Sequence, residues 1–127
     1  LMKLYFAIIF IAINSALGFG QVAEFSFSGK TTVKWDKVAE GEQLEHYFVF
    51  ENSGNQPLLI QDAKVACTCT KVSFPKSPIP PGHTDSIRVT FDTNEKYYYQ
   101  DRVIELSANT KKSEKLRIKV YVIPKGE

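Results

Sequence analysis

FVFENSGNQPLLIQDAKVACTCTKVSFPKSPIPPG, residues 48–82, holds both cysteines of the chain and five of its six prolines. Phe48 and Phe50 alternate with Val49 and Glu51, the run breaks at Asn52-Ser53-Gly54-Asn55-Gln56-Pro57, and apolar residues resume at Leu58, Leu59 and Ile60. This pattern predicts a strand, a turn and a second strand. In the turn, Gly54 is expected to supply a positive φ, Asn52 and Asn55 tolerate left-handed geometry, and Pro57 withholds an N–H from any ladder. Residues 65–74, rich in β-branched side chains, read as a further extended element. Pro75, Pro78, Pro80, Pro81 and Gly82 end it in a loop too dense in proline for regular structure.

Working outward, the flanks repeat the same alternation. Phe25 and Phe27 predict a short first strand, and residues 32–37, around Val33 and Trp35, a second. Residues 44–50 put Leu44, His46, Phe48 and Phe50 on one face, with Glu45, Val49 and Glu51 on the other. Ile87, Val89 and Phe91 face inward against Ser86, Arg88 and Thr90, which gives a strand with one wet face. Residues 102–107 form another strand through Ile104 and Leu106. Residues 116–122 set Leu116, Ile118, Val120 and Val122 opposite Arg117, Lys119 and Tyr121, whose basic side chains read as a solvated face. Strands at about ten-residue intervals, with turn signals between them and no amphipathic helix, predict an all-β fold, an antiparallel β-sandwich of about seven strands.

The ordered set Phe48-x-Phe50-x-Asn52-x-Gly54-x-x-Pro57-Leu58-x-Ile60, Cys67-x-Cys69-Thr70, Pro78-Ile79-x-Pro81-Gly82 and Ile87-x-Val89-x-Phe91-Asp92 resembles the bacterial domain of unknown function fifteen-seventy-three. The resemblance covers residues 34–122 and implies an immunoglobulin-like sandwich with Greek-key strand order, close to the major sperm protein and Hydin-type folds. It brings no reaction with it. Two positions depart from the family pattern: Thr68 stands where glycine usually separates the cysteines, and Tyr97, Tyr98 and Tyr99 stand where a glycine is often found. A role resting on a flexible Cys-Gly-Cys turn therefore does not carry over.

The chain has 127 residues, 43% hydrophobic and 24% charged, as expected of one globular domain. Residues 1–20 differ in composition. Met2-Lys3 gives a positive end, residues 4–13 an apolar run, and Ser15, Ala16, Gly18 and Gly20 small residues at cleavage spacing. The expectation is a signal peptide at 1–20, cut after Gly18 or before Gln21, and one secreted, periplasmic domain at 21–127. The run is shorter than the ~20 residues that span a bilayer, so no membrane association is expected after cleavage. Loss of Lys3 lowers the formal charge of +2 by one. Such a near-neutral domain lacks the overall basic charge that nucleic acid binding uses.

Cys67 and Cys69 are the most site-like feature. In an extended strand their Cα atoms would lie ~6.6 Å apart, near the upper limit of about 6.8 Å for a disulfide, so a bridge requires a bulge or turn. Three readings stand: inert packed thiols, a local disulfide or redox pair, and a soft-metal site for copper(I) completed by His46 or His83. For His46 the simpler reading is a core-edge histidine, since it shares the phenylalanine face. Tyr97, Tyr98 and Tyr99 alternate faces at a strand start, so at least one ring is expected to be exposed, suited to a protein partner. His83, Asp85 and Ser86 have the residue types of a hydrolytic triad but are adjacent in sequence, without a nucleophile elbow. Residues 92–96 lack the spaced ligands of a calcium loop. A non-catalytic binding or scaffold module is the expected function, with a metal-binding or thiol-redox protein as the alternative.

Overall fold

The computed structural model describes residues 20–127. The apolar run of the expected signal peptide lies outside them. Eight strands follow in order: β1 (Phe25–Phe27), β2 (Thr32–Ala39), β3 (Gln43–Asn52), β4 (Ile60–Val65), β5 (Thr70–Ser73), β6 (Thr84–Asp92), β7 (Tyr98–Ala108) and β8 (Glu114–Ile123). They form two four-stranded sheets, β1-β3-β6-β5 and β2-β8-β7-β4, packed as a sandwich. No helix occurs among the described residues.

The first two strands, each expected from its own alternation, lie in different sheets. Ser28 N–H still donates to Val49 O of the first sheet at 2.9 Å, whereas Thr31 O already accepts from Arg117 N–H of the second at 2.8 Å. Between them the chain changes sheets, and β2 then runs parallel to β8, with a register shift between Trp35 and Lys37. The other strand pairs are antiparallel.

The inner rows are those the alternation predicts. Leu44, Phe48, Phe50, Ile87, Val89 and Phe91 are buried from the first sheet, and Ile104, Leu106, Leu116, Ile118, Val120 and Val122 from the second. Full burial of one such side chain contributes about 1.5–3 kcal/mol, so two facing rows account for most of what holds the sheets together. Phe25 closes the first sheet's edge, its ring T-shaped on Phe50 at 5.1 Å between centroids.

Two buried polar residues fasten the ends of the sandwich. Thr93 Oγ1 donates to Glu42 O at 2.7 Å and accepts from Gly41 N–H at 2.9 Å, tying the end of β6 to the β2–β3 turn. At the other end, the Asn52 side chain has no solvent exposure and bonds backbone groups of three separate segments. Asn52 was expected to serve through turn conformation; instead it closes the last row of β3. Gly54 also differs from expectation, because its φ is not left-handed. It is small because the backbone at Val22, Ala23 and Glu24 passes against it.

Candidate functional site

Residues 65–74 are not one strand. β4 ends at Val65 in the second sheet and β5 starts at Thr70 in the first, so the cysteines occupy the turn that carries the chain across. Thr70 N–H donates to Cys67 O at 3.2 Å, which brings the two Cα atoms to 5.2 Å, and the sulfurs are bonded to each other. The turn supplies what an extended geometry denied, even with threonine between the cysteines. Both cysteines are half-buried. Cys69 borders a surface groove of about 430 Å³ that also holds Glu45, Lys71 and Arg88. The Arg88 guanidinium donates to Glu45 Oε2 at 2.8 Å, and this hydrogen bond holds the Glu45 carboxyl below its usual range.

The histidines do not gather at the cysteines. His83 precedes β6, while Cys69 O accepts from Asp92 N–H at the far end of that strand. Nine residues of extended chain lead from His83 to Asp92, roughly 30 Å. His46 faces inward, T-shaped to Phe48 at 4.6 Å and to Trp35 at 6.3 Å. Among the described residues no cluster of three or more His, Cys, Asp or Glu side chains is placed to hold a metal ion.

Burial holds the His46 imidazole below its ordinary pKa. The unfolded chain then takes up this proton first, so the associated stability is present above about pH 6.5 and is lost as pH falls through the lowered folded value. Urea midpoints at about pH 7.5 and about pH 5 are expected to show a smaller acid loss in His46→Phe than in the parent. Identical losses in the two proteins would assign the acid sensitivity to other groups.

The tyrosines are all at the surface: Tyr97 is 49% exposed, Tyr98 46% and Tyr99 82%. Tyr98 has φ 61°, a left-handed conformation that is exceptional for a bulky side chain. This falls in the segment where the resembling family often carries glycine. Its hydroxyl donates to Glu127 Oε1 at 3.1 Å, which raises the tyrosine pKa. Tyr99 packs edge-on against Tyr121, with centroids 5.0 Å apart.

One feature has no counterpart among the residues picked out by sequence. β1 registers with only Phe50, Glu51 and Asn52 of the ten-residue β3, so the rest of that side of β3 is uncovered among the described residues. Val49 O points toward β1, since it accepts from Ser28 N–H. By the two-residue repeat, the N–H and C=O of Tyr47 and Glu45 point the same way, into the open edge. A groove of about 480 Å³ runs beside this edge toward β2, floored by Phe27, Val33, His46 and Phe48, with Lys30 and Lys34 also in its wall.

The chain matches the family described as "Protein of unknown function (DUF1573)" over residues 25–122. No curated protein matches it. Among solved structures it is similar to a protein of unknown function from Porphyromonas gingivalis W83, with TM-score 0.69 and 18% identity over 84% of this chain and 50% of that one. It is also similar to PapD-like domain 7 of human CEP192, with TM-score 0.61 and 10% identity over 86% and 92% of the two chains. The E. coli chaperone DraB gives TM-score 0.53 and 17% identity over 83% and 57%. The chain thus spans half of the Porphyromonas protein's length. At these identities the likeness is one of fold: a PapD-like, immunoglobulin-like sandwich.

Proposed function

We propose, from the premise that this chain belongs to the DUF1573 family, that it is a non-catalytic binding module acting after export, in the periplasm. It takes an extended segment of a protein partner as an added strand on β3. The observation that carries this reading is the uncovered edge, where peptide groups of Glu45 and Tyr47 face outward beside an apolar groove. Open edges of this kind pair with extended chains, main-chain bonds giving affinity and alternate side chains giving selectivity. Guest residues two apart would enter the groove at His46 and Phe48, and acidic neighbours would meet Lys30 and Lys34.

Selection of displayed peptides on the full chain tests it. Enrichment of sequences alternating apolar with polar or acidic residues is expected. Tyr47→Pro, which removes one edge N–H, should lower capture at least about tenfold, while Tyr47→Ala retains it. An absence of enrichment, or capture indifferent to proline, would sink the reading.

The bonded, half-buried Cys67–Cys69 pair supports a second reading, thiol–disulfide exchange. A partner's dithiol would be oxidised to a disulfide while the pair opens to two thiols, at the groove that Cys69 borders. Opened, the two thiolates are also the ligands that a copper(I) reading would use. Replacing both cysteines by serine separates the two: a strand-binding module keeps its fold and peptide capture, and an exchange protein loses its activity.

A further inference from the structure

The strand registers write out the solvent face of the second sheet row by row. Lys37, Tyr121 and Tyr99 lie side by side across β2, β8 and β7, and Lys34, Lys119 and Asp101 form the next row. Arg117 then lies opposite Val103, and Lys115 opposite Glu105. Neighbours within a row are about 5 Å apart, and successive rows on one face ~7 Å. Lys64 of β4 stands opposite Glu105 and Asp62 opposite Ser107, so six cations share this face with the carboxylates of Asp62, Asp101, Glu105 and, in the β2 bulge, Asp36, in a chain whose formal charge is only +2. Arg117 Nε lies 3.5 Å from Asp101 Oδ1, which leaves the lysines as the uncommitted charges of the upper rows.

The upper rows open into a groove of about 540 Å³ bounded by the β2 bulge and the start of β7. Tyr99, 82% exposed, stands in it edge-on to Tyr121, and Lys37 Nζ is 6.0 Å from the centre of the Tyr121 ring. The left-handed turn at Tyr98, anchored through its hydroxyl on Glu127, brings the next residue onto this face. Such a conformation persists where the surroundings over-determine it, here through the Glu127 hydrogen bond and the contact of the Tyr98 ring with Tyr121 at 6.0 Å between centroids.

We infer that this groove binds a linear acidic polysaccharide, a chain of uronic-acid-type sugars. The exposed Tyr99 ring offers an apolar plane for the C–H face of a pyranose. Lys34, Lys37 and Lys119 lie where successive carboxylates of such a chain would pass. Asp36 and Asp101 decide between polyanions. They accept hydrogen bonds from sugar hydroxyls, whereas polyglutamate has no hydroxyls to offer and a nucleic acid strand would bring phosphates against them. This face belongs to the second sheet and the β3 edge to the first; Lys34 borders both grooves, whereas Tyr99, Lys37 and Lys119 belong to this one, so variants at those three positions let either proposal fail alone.

Calorimetric titration of the full chain with a hexameric oligogalacturonate tests it, with a neutral hexasaccharide, polyglutamate and single-stranded DNA as comparators. Oligogalacturonate is expected to bind at least about tenfold more tightly than each comparator. Tyr99→Ala should weaken it by about tenfold or more, and Lys37→Ala with Lys119→Ala should weaken it and flatten its salt dependence. Tyr47→Pro should leave it unchanged. Unaltered thermal unfolding of Tyr99→Ala, expected for so exposed a side chain, keeps that variant informative. No binding at about 1 mM, indifference to Tyr99→Ala, or equal binding of polyglutamate or DNA would overturn the inference, the last by making the face a general polyanion surface.

Discussion

Asn52→Leu is expected to lower the stability of the domain by about 3–5 kcal/mol. Its Oδ1 accepts from Gly54 N–H at 3.0 Å and Glu24 N–H at 3.3 Å, and its Nδ2 donates to Gln56 O at 2.6 Å and Ile79 O at 3.0 Å. Leucine has similar volume and leaves no cavity, but it silences all four bonds at once. The Ile79 bond is buried and the other three are partly buried, so water recovers only part of the loss. Each stranded group costs about 1–3 kcal/mol, against a total of about 5–15 kcal/mol for a domain of this kind. Asn52→Asp is instructive beside it, because a carboxylate sets acceptors against two carbonyls, and protonation at low pH restores one donor. Urea unfolding, with the slope unchanged and the midpoint lowered, is the measurement. A loss under about 1 kcal/mol would mean that the backbone groups find other partners.

Gly54→Ala should follow, with a loss of about 2–4 kcal/mol. A Cβ there would stand 2.9 Å from Ala23 Cα and Glu24 N and inside contact distance of the Val22 carbonyl oxygen. All three are backbone atoms, so no side chain can swing aside. The segment leading into β1 has to move, and with it the bonds from Ser53 N–H to Glu24 O at 2.9 Å and from Asn55 N–H to Val22 O at 2.8 Å. Amide exchange after the substitution is expected to show lost protection at residues 22–28, with β6 to β8 little changed. Uniform loss across both sheets would indicate global rather than edge destabilisation.

Where one face of a strand is wet, the residues declared it. Leu44, Phe48 and Phe50, then Ile87, Val89 and Phe91, then Leu116 to Val122 by twos, are buried as their alternation requires, since a slip of one residue would expose each set. Less was legible where position depends on a distant partner. The sheet change between Ser28 and Thr31 and the parallel pairing of β2 depend on β8, far along the chain. Asn52 looks like a turn residue in sequence because its four partners are backbone groups, which carry no residue signature. The cysteine turn hid within β-branched neighbours that favour extension. At the site level, single candidates such as Tyr99 could be picked out. Neither the open edge of β3 nor the cation rows could be, because one is set by where β1 stops and the other by strand register.

The sheet change between β1 and β2 also bears on how the chain reaches this structure. β2 finds its place only against β8, so that Thr32 must meet Arg117, a contact spanning most of the domain. Loops of that length close slowly, and sandwiches dominated by such pairings fold in about milliseconds to seconds. During synthesis from the N-terminus, β2 is complete long before its neighbour exists. Until the C-terminal strand emerges, Val33, Trp35 and Val38 stand without the sheet that carries them, and the nascent chain is then most open to capture by other chains.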